Sequence, residues 1–307
     1  YAFGKTLYRL LTGKIPQTLH PRRLASAPEL FELLCDCVER APEKRPDVAT
    51  IIKQLSNWGT EDIKAYKAWW NQLDEDWRAI FEKAIEIEAE PSESELVKIV
   101  QLQVLDCSSN EISDLEPLRQ LTSLQVLNCD SNQISDLEPL RQLMKLQYLD
   151  CHDNEISDLE PLRHLTKLQY LYCHDNEISD LEPLRHLTNL RELFCFQNQI
   201  SDLEPLRHLT SLQVLVCWES QISDLEPLRH LTSLQEFNCS YNQISDLEPL
   251  RHLTKLQELI CAINQISDLE PLRHLTSLKK LDCSNNKISK AEIKKFKKAM
   301  PNCQVES

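Results

Sequence analysis

Residues 102–119 read Leu-Gln-Val-Leu-Asp-Cys-Ser-Ser-Asn-Glu-Ile-Ser-Asp-Leu-Glu-Pro-Leu-Arg, and the pattern returns every 22 residues. Its phase is marked by Cys107, Cys129, Cys151, Cys173, Cys195, Cys217, Cys239, Cys261 and Cys283. The copies open Leu-x-x-Leu-x-Cys-x-x-Asn-x-Ile, and the first eight repeat Ile-Ser-Asp-Leu-Glu-Pro-Leu-Arg without change. A fixed period in this range is the signature of a solenoid. One copy cannot bury its own apolar side, so stacked neighbours share a continuous core. In the Leu-x-Cys segment alternate residues point to opposite faces, which predicts one short parallel strand per copy. At about 4.8 Å between strands, nine such strands make a ladder on the order of 40 Å.

On these residues the chain resembles the leucine-rich repeat family in its short, 22-residue, bacterial internalin-like form. The resemblance implies an α/β solenoid over 102–288, with a parallel β ladder on the concave face and short helical or 3-10 turns outside. It would be preceded by an all-α segment. The family usually has Leu where this chain has the cysteine column; these cysteines read as small buried hydrophobes. Neighbouring ladder cysteines would sit at a bridgeable Cα separation, but their side chains run parallel into packed core. Nothing has closed zinc-ligand spacing: Cys35-x-Cys37 is too close and without partners, so no metal is expected. Reduced core thiols point to a reducing compartment and a cytoplasmic location.

The asparagine column, from Asn110 to Asn286, is expected to bond backbone groups where the chain leaves each strand, because an amide both donates and accepts. Ser220 breaks that column in the sixth copy and predicts a locally weaker site. The only glycines are Gly4, Gly13 and Gly59, so the repeats turn without one. Pro117 and its equivalents are expected to open a short helical turn on the outer side. A Ser113-x-x-Glu116 capping box is the alternative, though it puts the proline awkwardly inside the first turn.

The copies differ mainly in the strand residues that alternate with the core. In the middle copies these positions hold an aromatic band: Tyr148, Tyr170, Tyr172, Phe194, Phe196, Val214, Val216 and Trp218, continued by Tyr241, Ile260 and Ile263. An exposed aromatic band with polar ends marks a partner site, and Tyr and Trp carry much of the energy at interfaces. These residues are therefore the predicted site for a protein or peptide ligand, with cover by another part of the protein, or by a second copy in self-association, as the alternative. His152 and His174, with Asp153 and Asp175 beside them, flank it and read as a polar interface edge, although two adjacent imidazoles could hold a metal or sense pH. His164, His186, His208, His230, His252 and His274 form a second column on the outer side, as copying one repeat requires. No histidine lies beside a nucleophile with an orienting third group, so no catalytic residues and no cofactor are expected.

Lys and Arg number 34 against 48 Asp and Glu, a net charge of −14 that disfavours a nucleic-acid ligand. No run of about 18 apolar residues is present, so no membrane-spanning helix is expected. Residues 289–307 read as a C-terminal helical cap, with Ile293, Phe296 and Met300 over the last core layer. Residues 58–101 read as a helical linker and N-terminal cap: Tyr66, Trp69, Trp70, Leu73, Trp77, Ile80, Phe81, Ala84 and Ile85 recur at helical spacing. Pro91 stops that segment, and Ser92-x-x-Glu95 can cap the next short helix.

Residues 1–57 differ from the rest. Tyr1–Gly13 resembles the start of a long buried helix in the C-terminal lobe of protein kinases, and Leu30–Leu55, with Cys37 and Pro42-Glu-Lys-Arg45-Pro46, resembles that lobe's last helices. In that family the Arg pairs with a Glu near the end of the activation segment, which lies outside this chain. The Gly-rich loop, the ATP-anchoring Lys, the catalytic-loop Asp and Asn and the Asp-Phe-Gly metal ligand are all absent. The chain is thus expected to be a protein-binding scaffold and not an enzyme. Two alternatives stand beside that reading: a regulatory or substrate-recognition tail of a serine/threonine kinase encoded upstream of Tyr1, and a surface or secreted adhesin.

Overall fold

The computed structural model describes residues 60–307, and the kinase-like stretch 1–57 lies outside the described residues. The chain divides into two compact units, residues 1–72 and 73–307. The division falls inside the 58–101 stretch read above as one segment. In the first unit, α1 (Thr60–Gln72) carries Trp69 and Trp70 edge to face, with ring centres 6.4 Å apart.

The second unit opens with α2 (Glu75–Ile85), which Asp74 starts by accepting the Trp77 N–H at 2.8 Å. That cap splits the apolar helical pattern into two helices, where the spacing of aromatic residues read as continuous. After Pro91, α3 (Glu93–Val100) begins with the expected capping box: Glu95 Oε2 accepts the Ser92 N–H at 2.8 Å. Trp77, Ile80 and Phe81 of α2 and Leu96, Ile99 and Val100 of α3 are buried. The Trp77 indole donates to the Asp114 carbonyl at 3.0 Å, tying this cap to the first copy.

Ten parallel strands follow in sequence order in a single sheet. They are β1 (Val104–Asp106), β2 (Val126–Asn128), β3 (Tyr148–Asp150), β4 (Tyr170–Tyr172), β5 (Glu192–Phe194), β6 (Val214–Val216), β7 (Glu236–Asn238), β8 (Glu258–Ile260), β9 (Lys280–Asp282) and β10 (Gln304–Glu306). Equivalent residues of successive copies pair, as in Leu149 with Leu171, so no register slips occur from β1 to β9. The tenth strand is additional to the predicted cap. After α4 (Lys290–Ala299), which buries Phe296 and leaves Ile293 half-buried, and the buried Met300 that follows it, Val305 pairs with Leu281 and closes the sheet edge.

Burial follows the predicted alternation. The middle Leu of each strand, Phe237 in β7, and all nine column cysteines are buried, while the flanking strand residues are mostly half-exposed. The column thiols are free, and burial pushes those of Cys107 and Cys195 up to about 12. Each asparagine after Asn110, whose side chain bonds only Ser108 of its own copy, bridges two copies. Asn132 Nδ2 donates to the carbonyls of Cys107, Cys129 and Asp130 at 2.8–3.1 Å, and its Oδ1 accepts the Ile112 N–H at 2.9 Å. At Ser220 this bridge is missing, and its buried hydroxyl has no hydrogen-bond partner.

On the outer side each of the first eight copies makes a 3-10 turn beginning at its Glu-Pro pair, as in Glu160–Leu162. The turn is capped by Asp and not by Ser113: Asp114 Oδ1 accepts the Glu116 N–H at 2.8 Å, and the other copies repeat this bond at 2.7–2.8 Å. An Asp side chain reaches a backbone N–H two residues on, so it captures the turn before a capping box can form. The turn out of each strand passes through the left-handed region at a non-glycine residue. In the nine copies these are Ser109, Ser131, Asp153, Asp175, Gln197, Glu219, Tyr241, Ile263 and Asn285, with φ between 50° and 56°. Such backbone costs about 1–2 kcal/mol for a residue with a Cβ. It persists because the asparagine bridges and the stack on either side hold it.

Candidate partner-binding face

Three strand columns and the left-handed column face the concave side. Tyr148, Tyr170, Tyr172, Phe194, Phe196, Val214, Val216, Trp218 and Ile260 are all half-buried there, and Tyr241 is 54% exposed. The band is less open than its composition suggests because its rings cover one another. Along the column after the cysteines, His152, His174, Phe196 and Trp218 stack in series, with centroids 4.3, 4.1 and 4.5 Å apart and interplanar angles of 9°, 22° and 14°. These spacings match the strand-to-strand repeat, so the sheet sets the stack. A second group packs beside it: Tyr172 stacks on Phe194 at 4.6 Å and meets Tyr148 edge-on at 5.3 Å, and Tyr148 lies 6.2 Å from Tyr170. Ring pairs of this kind contribute about 0.5–1.5 kcal/mol beyond the area they bury.

Polar groups brace the rings. The Tyr172 hydroxyl donates to Glu192 Oε2 at 2.8 Å, and the Tyr148 hydroxyl donates to Asp150 Oδ2 at 3.3 Å. Burial first, and Asp150 second, push the Tyr148 phenol up to about 12. Of the two histidines, His152 pairs with residues other than its sequence neighbour, while His174 stays near its own. His152 Nδ1 lies 2.7 Å from Asp150 Oδ1 and its Nε2 lies 3.6 Å from Asp130 Oδ2, so its carboxylates come from its own strand and the preceding copy instead of Asp153. His174 Nε2 lies 4.0 Å from Asp175 Oδ2, and its buried Nδ1 has no hydrogen-bond partner. Burial, and then the neighbouring His152, lower His174 to about 4, so it is neutral at pH 7.

Asp130, Asp150 and His152 place ligand atoms within 4.8 Å of one another, the one such group among the described residues. The sequence reading missed it because Asp150 and Asp130 look like ordinary polar strand residues. Hydrogen bonding between His152 and Asp150 accounts for its arrangement.

The chain matches the family model for leucine-rich repeats (2 copies) over residues 100–142, 145–186, 188–230, 210–252, 232–274 and 254–295, more than half its length. It belongs to the leucine-rich repeat family. Among solved structures it is similar to internalin C2 from Listeria monocytogenes, with 30% identity and a TM-score of 0.60, covering 70% of this chain and 92% of that one. A leucine-rich repeat protein of Leptospira interrogans matches at 25% identity and a TM-score of 0.61, covering 70% of this chain and 62% of that one. The functional domain of InlJ from Listeria monocytogenes, which includes a cysteine ladder, matches at 28% identity and a TM-score of 0.60, covering 76% of this chain and 54% of that one. No curated protein matches the sequence. The fold is in general a scaffold for protein–protein interaction.

Proposed function

We propose that the chain is a binding scaffold that engages a protein or peptide partner on the concave band of Tyr148, Tyr170, Tyr172, Phe194, Phe196, Val214, Val216, Trp218, Tyr241 and Ile260. The observation that carries this reading is the ordered, solvent-facing ring stack from His152 to Trp218, built in the columns where otherwise near-identical copies diverge. Rings aligned by the sheet before a partner arrives lose little conformational freedom on binding, which favours affinity. The strained display of Tyr241 at φ 53° adds support, since a polar or small residue would fit that backbone better. The nine free thiols favour a reducing, cytoplasmic setting. A partner recovered by the full chain should be lost with the Tyr172→Ala/Phe196→Ala/Trp218→Ala variant while circular dichroism stays unchanged. Equal recovery by a folded variant would defeat the reading.

A second reading makes the repeats the substrate-recognition tail of a serine/threonine kinase. It rests on the likeness of Tyr1–Gly13 and of Leu30–Leu55, with Arg45-Pro46, to a kinase C-terminal lobe. Reading the coding sequence upstream of Tyr1 tests it: the kinase motifs named above must be found there.

A further inference from the structure

The four concave-facing columns of the nine copies hold ten carboxylates and one lysine, Lys280, whose Nζ is bound to Glu258 Oε1 at 2.7 Å. The convex side is arranged differently. Its arginines, as in Arg163 with Glu160 and Arg207 with Glu204, are closed by the glutamate three residues earlier. The rings therefore share their face with an excess of acid, ten carboxylates against one lysine, and such a field selects cationic partners.

The ring stack also has an open end. Trp218 meets Phe196 on one side, but the next residues of its column are Ser240 and Ala262, too small to continue the stack. Among the described residues no aromatic ring stacks on the other side of Trp218. Glu219 directly follows Trp218 at a left-handed position and is exposed, Tyr241 stands exposed one copy on, and Glu236 is exposed at the start of β7. An open indole face on a surface rich in carboxylates is a site for a guanidinium or ammonium group, which gains cation–π attraction from the ring and charge pairing from the acids around it.

We infer that the concave face takes a basic segment of its partner, with an arginine or lysine side chain on the Trp218 step beside Glu219 and further cations along the carboxylates that include Glu236. This deepens the reading of the band as a partner site and rests on it. A neutral or acidic segment would cover these carboxylates without replacing their hydration, and would be rejected.

The test uses the full chain and two extended peptides, one with four arginines spaced by Gly-Ser and one with citrulline at the same positions. Titration calorimetry at about 0.15 M salt keeps distant charges screened. The arginine peptide should bind at least about tenfold more tightly than its citrulline counterpart, and Trp218→Ala and Glu219→Gln/Glu236→Gln should each weaken it about tenfold. Glu155→Gln/Glu177→Gln, an equal charge change outside the four columns, should leave it within about twofold. Equal binding of the citrulline peptide, no binding of the arginine peptide, or equal weakening by the Glu155/Glu177 control would overturn the inference. A partner that depends on Tyr172, Phe196 and Trp218 but contacts them through a neutral or acidic segment would overturn it too, while leaving the band reading intact.

Discussion

The convex and concave faces are made from the same repeated unit, yet one is copied and the other varied. On the convex side Asp-Leu-Glu-Pro-Leu-Arg recurs in eight copies, each with its Asp cap and, in the first seven, a Glu–Arg pair. On the concave side four positions per copy carry a changing set that includes tyrosine, phenylalanine, tryptophan, histidine and acid. A position that only has to build the turn has one good answer, and copying preserves it. A position that builds nothing is free to be used for contact. Between the two faces runs the thiol and asparagine interior, which both depend on.

The largest effect should come from that interior. Leu193→Ala empties a fully buried site in β5 and should cost about 2–5 kcal/mol in urea unfolding. Asn176→Ala should cost about 2 kcal/mol, because it leaves the Ile156 N–H and the Cys151 carbonyl without their partner across the copy boundary. The reverse exchange, Ser220→Asn, should gain about 1 kcal/mol by restoring the missing bridge. Tyr241→Asn sharpens the contrast between building and contact: it should raise stability by about 1 kcal/mol by relieving the left-handed strain, and weaken partner binding.

His174 gives a pH test of the ring stack. Its folded value of about 4 lies below the ordinary 6.5, so the unfolded chain binds a proton first as pH falls. Stability should be fully present above pH 6.5 and decline towards pH 4, and an NMR titration should place the His174 midpoint near 4. A midpoint near 6.5 would mean that the ring is not packed between His152 and Phe196. The smallest effect belongs to the convex face. Arg163→Ala removes a half-exposed pair with Glu160 and should leave the melting temperature unchanged within error; a clear fall would show that this face contributes more than turns.

Much of this architecture was legible because repetition exposes what a single copy hides. The strand positions, the inward Leu and Cys, the role of the asparagines and the weak sixth copy all follow from comparing copies. Features that occur once were not legible. β10 rests on a lone Val305 with no copies to compare, and the break between α1 and α2 depends on Asp74 outcompeting an apolar pattern that continues across it. The pairing of His152 was hidden for another reason. Asp153 is adjacent in sequence but sits at the left-handed turn, whereas Asp150 lies two residues away on the same strand face and Asp130 one copy back.

Period and alternation determined the inside, the outside and the order of the strands, since those follow from local geometry repeated in phase. Tertiary structure alone decided how the varied side chains meet, because neighbours on that face are 22 residues apart in the chain and only about 4.8 Å apart across the ladder. At that spacing, rings that look independent in the sequence become one stack, and its open end at Trp218 becomes visible.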